Sequence, residues 1–249
     1  TPKPSSAASD VYKRQDKLLA NYGIGTRKEV KSLIRKGFVK VNGMIIKKDD
    51  FKVDHEIDEI VFDDELIEYR PYVYIMLNKP AGYISATKDN LHPTVLELIE
   101  GYENYDLFPV GRLDLDTEGL LLITNDGDFS HKLLAPSRNH SKIYFANIAG
   151  VMDEQDIQAF KDGIILNTGY HCKPANLEII NKNNDSCDVR IEIFEGKFHQ
   201  VKKMVEVCGK EVIYLKRLSI RNLELDRSLA LGDFRELSNE ELVDLMEDL

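Results

Sequence analysis

No apolar run in this 249-residue chain is longer than six residues. Tyr72 to Leu77 is such a run, and Leu120 to Ile123 is a shorter one. A membrane-spanning helix needs about 20 apolar residues, so none can form here. The runs recur at short intervals between glycine, asparagine and charged residues, which is the pattern of many short strands. Helical spacing is sparser. The chain therefore reads as an α+β fold on a mostly antiparallel or mixed sheet. With 43% hydrophobic and 31% charged residues it can bury a core and remain in water.

The net charge is −10, but the charge is segregated. Residues 16–48 carry nine basic and two acidic side chains, residues 49–69 one basic and ten acidic, and residues 196–221 seven basic and two acidic. Basic segments of this kind can hold a polyanion even in an acidic protein. The three cysteines, Cys172, Cys187 and Cys208, are odd in number and show no C-x-x-C spacing. They suit a reduced, cytoplasmic setting better than a disulfide or zinc scaffold.

Residues 1–15 lack the apolar core of a signal peptide and read as a disordered or non-native leader. Asp16 to Gly23 predicts a short helix closed by glycine. Thr26 to Glu29 is a capping box that opens a second helix. On it Val30, Leu33 and Ile34 form the apolar stripe, while Arg27, Lys31 and Arg35, four apart, share an exposed face. Asn42-Gly43 predicts a hairpin over Phe38 to Ile46, and Glu59 to Phe62 a strand. These define a small module at 16–62, a linker at 63–71 and a larger domain at 72–238.

In the larger domain strands are expected at Val73–Leu77, Leu107–Val110, Leu120–Thr124, Ile143–Ile148, Leu177–Ile180, Val189–Phe194, Val212–Leu215 and Leu223–Leu225. Helices are expected after Pro93, at Phe129–Leu134, Asp153–Phe160 and Val201–Cys208. A capping box at Ser238 to Glu241 opens an acidic C-terminal helix, 239–249.

The loop Gly111-Arg-Leu-Asp-Leu-Asp-Thr-Glu-Gly119 sets two carboxylates, Asp114 and Asp116, beside Arg112. A calcium loop is excluded, because position 12 would be Asn125 rather than a bidentate glutamate. An aspartyl-phosphatase loop fits poorly, because Thr117 falls one place early. A single nucleophilic carboxylate held by a nearby cation fits the loop best.

This loop, with the Leu-Leu-Leu-Ile-Thr-Asn-Asp-Gly127 that follows it, resembles the catalytic motif of RsuA-like RNA pseudouridine synthases. Leu77-Asn-Lys-Pro-Ala-Gly82 resembles that family's opening strand. Ser141-Lys-Ile-Tyr144 resembles its Lys-x-Tyr motif. Glu195-Gly-Lys-Phe-His-Gln-Val-Lys-Lys-Met204 resembles its third motif. Residues 16–62 resemble the S4-like RNA-binding domain that precedes the catalytic domain in this branch. Two positions depart from the pattern: Arg14-Gln-Asp-Lys17, which suggests a truncated start, and Arg221-Asn222, where the family often has glycine.

The resemblance implies that Asp114 attacks a target uridine, in its ribose or its uracil ring. The glycosidic bond then breaks, the base turns, and a C5–C1′ bond forms, with no cofactor and no metal. Tyr144 is implied to stack on the base and to take the C5 proton, Lys202 to pair with Asp114, and Arg112 to fill or hold open the space of the extracted base. Lys202 and Lys203 point about 100° apart on a helix, so only one of them can face Asp114. Asp116 is expected to shape the loop or face RNA, and His199 to have a structural hydrogen-bonding role. Arg27, Lys31 and Arg35 are expected to contact phosphates. The implied substrate is 16S ribosomal RNA, or a subunit assembly intermediate, acted on by a monomer with no membrane partner. A 23S ribosomal RNA substrate and a non-catalytic RNA-binding factor remain as alternatives.

Overall fold

The computed structural model describes residues 12–55, 57–67 and 70–247. The chain divides into two units. The first takes in residues up to Pro71 together with Gly101–Asp106, and the second the remainder.

The first unit starts with β1 (Tyr12–Arg14), α1 (Gln15–Tyr22) and α2 (Arg27–Lys36), followed by β2 (Val39–Val41), β3 (Met44–Ile45), β4 (Lys52–Asp54), β5 (Ile60–Phe62) and β6 (Glu65–Leu66). Gly23 ends α1 at φ 103° and Gly37 ends α2 at φ 89°. Thr26 and Glu29 form the capping box. Asn42 and Gly43 both take positive φ, as the hairpin turn between β2 and β3 demands. Leu18, Leu19, Val30, Ile34, Val39 and Ile60 pack one core.

The ordered module is wider than the sequence pattern predicts. Residues 12–15, assigned to the leader, form β1 and the start of α1, and β1 pairs with β4. Residues 1–11 lie outside the described residues. The predicted linker begins with β6, which pairs with β5 across a turn at Asp63 and Asp64. Ile67 joins the core. Two- and three-residue strands show no periodicity of their own; their partners define them.

Arg27, Lys31 and Arg35 are also not a free basic face. Arg27 Nε lies 3.1 Å from Asp16 Oδ2, and Lys31 Nζ 3.6 Å from the same atom. Arg35 and Lys31 reach Asp49 at 3.1 and 3.8 Å. Asp16, with no exposed side-chain surface, also accepts from Arg14.

The second unit is built on a nine-stranded sheet. Its strands are β7 (Tyr74–Lys79), β8 (Phe108–Val110), β9 (Glu118–Thr124), β10 (Lys142–Ala149), β11 (Asn176–Lys182), β12 (Ser186–Ile193), β13 (Glu211–Ile220), β14 (Leu223–Glu224) and β15 (Phe234–Glu236). The main path runs β11-β12-β10-β13-β9-β7-β15, with β8 added to β9 and β14 to β13. Every pair is antiparallel except β13 with β9. Helices α3 (Gly127–Leu134), α4 (Glu154–Asp162) and α5 (Gln200–Val207) interrupt it, and α6 (Asn239–Met246) ends it. Among the described residues no helix is long and apolar enough to cross a membrane.

Two expectations change here. The helix predicted after Pro93 is a single 3-10 turn, Val95–Leu98. The acidic C-terminal helix is not an appendage: Leu245 is fully buried in a core with Met76, Leu120 and Phe129. Arg221 explains part of its docking. The residue adopts φ 54°, a conformation natural to glycine, and its guanidinium donates to the carbonyls of Leu245 and Glu247.

The buried Asp16 carboxylate should be worth measurable stability. Burial pushes its carboxyl up, but hydrogen bonds from Arg14 and Arg27 outweigh burial and leave it below its ordinary value. That stabilisation is present above about pH 4 and is lost as pH falls through the lowered value. Asp16→Asn should destabilise the first unit by about 1–3 kcal/mol at neutral pH. Thermal unfolding of the full chain, followed at pH 7 and pH 3, checks this: the gap between variant and wild type should close in acid.

Candidate active site

The loop from Gly111 to Thr117 joins β8 to β9 and is held from several sides. Lys79, at the end of β7, has no exposed surface. Its ammonium donates to the carbonyls of Thr117 at 2.8 Å, Pro80 at 3.0 Å, Asp114 at 3.1 Å and Leu115 at 3.4 Å. Ser85 Oγ donates to the Leu113 carbonyl and accepts from the Leu113 N–H. The Gly82 N–H donates to Leu115. Gly119 starts the return strand at φ 101°, where a Cβ would lie 2.2 Å from the Arg217 carbonyl. Only glycine lets β9 approach β13 there.

This loop presents Asp114 to a cleft of about 140 Å³. Tyr144, Lys142 and Arg217 form its floor on adjacent strands, and α5 contributes His199 and Lys202. Lys202 Nζ sits 3.5 Å from Asp114 Oδ2, and His199 Nε2 sits 3.5 Å from Asp114 Oδ1. Lys203 instead places its ammonium 4.8 Å from the centre of the Phe198 ring.

Asp116 is the nearer partner of Lys202, accepting from it at 2.6 and 2.8 Å. Lys202 thus bridges two carboxylates rather than serving Asp114 alone. Burial raises the Asp116 carboxyl, but the hydrogen bond and charge of Lys202 leave it below its ordinary value. His199 holds φ 54° at the start of α5, with its ring stacked on Phe198 and turned to Asp114. The sequence pattern assigns it only a structural hydrogen bond. Tyr144 is 8% exposed, and Arg112 is exposed at the rim. Arg27, Lys31 and Arg35 belong to the first unit and do not line this cleft.

The start of α5 is braced from below. Glu195 accepts from Tyr170 Oη at 2.6 Å, Gln200 Nε2 at 2.8 Å and the Lys173 N–H at 3.0 Å. Gln200 in turn accepts from the Lys197 N–H. Burial raises the Glu195 carboxyl, yet these donors leave it below its ordinary value. This network explains the Glu-Gly-x-x-His-Gln spacing: glutamate and glutamine lock the turn that aims His199 and Lys202.

Residues 73–207 match the family described as RNA pseudouridylate synthase. The chain belongs to that family. Residues 14–60 of this synthase match the S4 domain. An uncharacterized RNA pseudouridine synthase of Bacillus subtilis is 43% identical over 230 residues, 92% of this chain and 96% of its own. Ribosomal small subunit pseudouridine synthase A of Haemophilus influenzae is 37% identical over 236 residues, 94% of this chain and 99% of its own. A crystal structure of a pseudouridylate synthase superposes with TM-score 0.66 at 36% identity, covering 94% and 99% of the two chains.

Within the synthase, Lys79 is the residue whose part the sequence motif does not reveal. A lysine ending a buried strand invites a surface role; burial against four carbonyls appears only in three dimensions. Burial lowers its ammonium to about 8, with Asp116 and Asp114 opposing. Lys79→Met should leave those carbonyls without their shared donor and destabilise the second unit by about 2–4 kcal/mol. It should also cost most of the activity at a temperature where the variant is still folded. Thermal unfolding paired with a pseudouridine assay checks both effects.

Proposed function

We propose that this synthase converts a single uridine of 16S ribosomal RNA to pseudouridine, in free RNA or in a subunit assembly intermediate, and acts as a monomer in the cytoplasm. The observation that carries the mechanism is Asp114 in a cleft with Lys202 and His199 at its two oxygens and Tyr144 in the floor. The similarity to ribosomal small subunit pseudouridine synthase A, extending over nearly the whole of both chains, supports the choice of substrate.

Asp114 is the nucleophile. Its loop is held through backbone carbonyls, so the loop itself makes no demand on the carboxylate oxygens. Lys202 and His199 orient it. A uridine inside structured RNA has to leave its stack to reach Asp114, at a cost of about a few kcal/mol. Stacking on the Tyr144 ring returns about 1–3 kcal/mol. Arg112 at the rim occupies or holds open the space the base leaves.

Arg27, Lys31 and Arg35 contact RNA phosphates. Their present partners, Asp16 and Asp49, do not preclude this, because the Arg27, Lys31 and Arg35 side chains stay partly exposed and keep N–H groups for a phosphate while still paired. Phosphate contacts release counterions, so each lost contact lowers the salt slope of binding by about one.

Asp114→Asn keeps size and hydrogen bonding but removes the nucleophile. Pseudouridine formation should vanish while RNA affinity stays within about twofold. Sequencing of pseudouridines in both ribosomal RNAs, with and without the protein, identifies the substrate; a site lost from 23S instead of 16S ribosomal RNA transfers the activity to the large subunit.

The triple change Arg27→Gln, Lys31→Gln, Arg35→Gln should weaken RNA binding and lower its salt slope by up to about three. Turnover at saturating RNA should change little. An unchanged slope would mean these charges serve Asp16 and Asp49 only.

A further inference from the structure

The cleft is lined by one carboxylate, Asp114, and by five lysine and arginine side chains. Lys202 is committed to Asp114 and Asp116, and Arg112 lies exposed at the rim. Lys142 and Arg217 are different, because they sit in the floor. Lys142 and Tyr144 are two apart on β10, so both side chains leave the same face of the sheet. Arg217 is the cross-strand neighbour of Tyr144 on β13.

Among the described residues neither floor cation is paired with a carboxylate. Lys142 Nζ donates to the His140 carbonyl at 3.0 Å, which leaves two of its three N–H groups for another partner. Arg217 is 3% exposed; its Nε donates to the Leu120 carbonyl, and one terminal nitrogen is buried without any partner. The charged groups that act on Lys142 are Arg217 from β13, Glu195 from the turn after β12, and Lys173. Glu195 is already occupied by Tyr170, Gln200 and the Lys173 backbone. A buried and a half-buried cation without counter-charge cost stability, and a fold that keeps them beside a nucleophile has a use for unbalanced positive charge.

Pseudouridine formation creates negative charge at this place. When the C1′–N1 bond breaks, its electron pair leaves with the base, and the pyrimidine carbonyl oxygens share the charge. Asp114 holds C1′ through a bond that forms as N1 leaves, and the C5–C1′ bond then forms from the electrons of the base as the Asp114–C1′ bond breaks and the carboxylate is restored. The C5 hydrogen leaves as a proton, and N1 takes up a proton, so the net change is an isomerisation. We propose that Lys142 donates to a carbonyl oxygen of the detached pyrimidine and stabilises its negative charge, with Arg217 behind it reinforcing the positive field. Lys142 is thereby a catalytic residue, and Arg217 a positioning residue that acts through it. This inference rests on the pseudouridine synthase mechanism given above and adds the group that receives the leaving base.

The test is the single-turnover rate at saturating enzyme, measured against pH for wild type, Lys142→Met and Lys142→Arg. Removing one donor of this kind costs about 10²–10³ in rate, so Lys142→Met should lose about that much at pH 7 with RNA affinity unchanged. Burial lowers the Lys142 ammonium to about 8, with Arg217 adding to the effect and Glu195 opposing it. The wild-type rate should therefore fall as pH rises past about 8, because the proton that carries the charge is lost. Lys142→Arg should recover most of the rate and hold it above pH 9, since a guanidinium does not deprotonate there. Lys79 titrates in the same range, but it would impose the same alkaline fall on Lys142→Arg. A wild-type rate in Lys142→Met, or an unchanged alkaline fall in Lys142→Arg, would overturn the proposal. Failure of the underlying mechanism is separately visible, as a wild-type protein that forms no pseudouridine or an Asp114→Asn variant that still does.

Discussion

A single buried ammonium organises the catalytic loop. Lys79 leaves the end of β7 and gathers the carbonyls of Pro80, Asp114, Leu115 and Thr117 around one charge. Four carbonyl dipoles aimed at one cation in a poorly solvated site replace the water that the ammonium gave up. Lys79 uses only the backbone of Asp114 and leaves its carboxylate to Lys202 and His199. Gly119 then returns the chain against Arg217, where nothing larger than hydrogen fits. The parallel contact between β9 and β13 follows from that close approach, and with it the placement of Arg217 in the cleft floor.

Around this loop the charges are arranged unequally. The carboxylates are accounted for: Asp114 and Asp116 share Lys202, and Glu195 is tied into the turn before α5. The cations of the floor are not. In the first unit the opposite holds, where Arg14, Arg27 and Lys31 converge on one buried Asp16. That difference has an energetic meaning. A saturated ion cluster supports a fold, whereas an unsaturated one in a cleft is available to a ligand or a developing charge.

Much of the site was legible in the chain. The glycine-bounded loop, the Lys-x-Tyr pair and the Glu-Gly-x-x-His-Gln run each carry local geometry in their spacing, and the structure brings Asp114, Tyr144 and Lys202 to one cleft. Capping boxes at Thr26 and Ser238 and the Asn42-Gly43 turn were equally local. What escaped was non-local. Lys52–Asp54 sits in an acidic run with no strand pattern and becomes a strand only because Tyr12–Arg14 lies beside it. The left-handed Arg221 is tolerated because its side chain reaches α6, twenty-four residues further on.

The sequence by itself determined the fold class, the longer strands, the helices opened by capping boxes and the residue types of the site, because periodicity, turn chemistry and motif spacing act over a few neighbours. Only the tertiary structure decided how the charges pair. That Asp116 is the closer partner of Lys202, that Lys79 is buried under the loop, and that Lys142 and Arg217 have no carboxylate partner among the described residues all depend on strands brought together from up to about a hundred residues apart. Electrostatic energy depends on distance and burial in space, and neither is encoded in the spacing of residues along a chain.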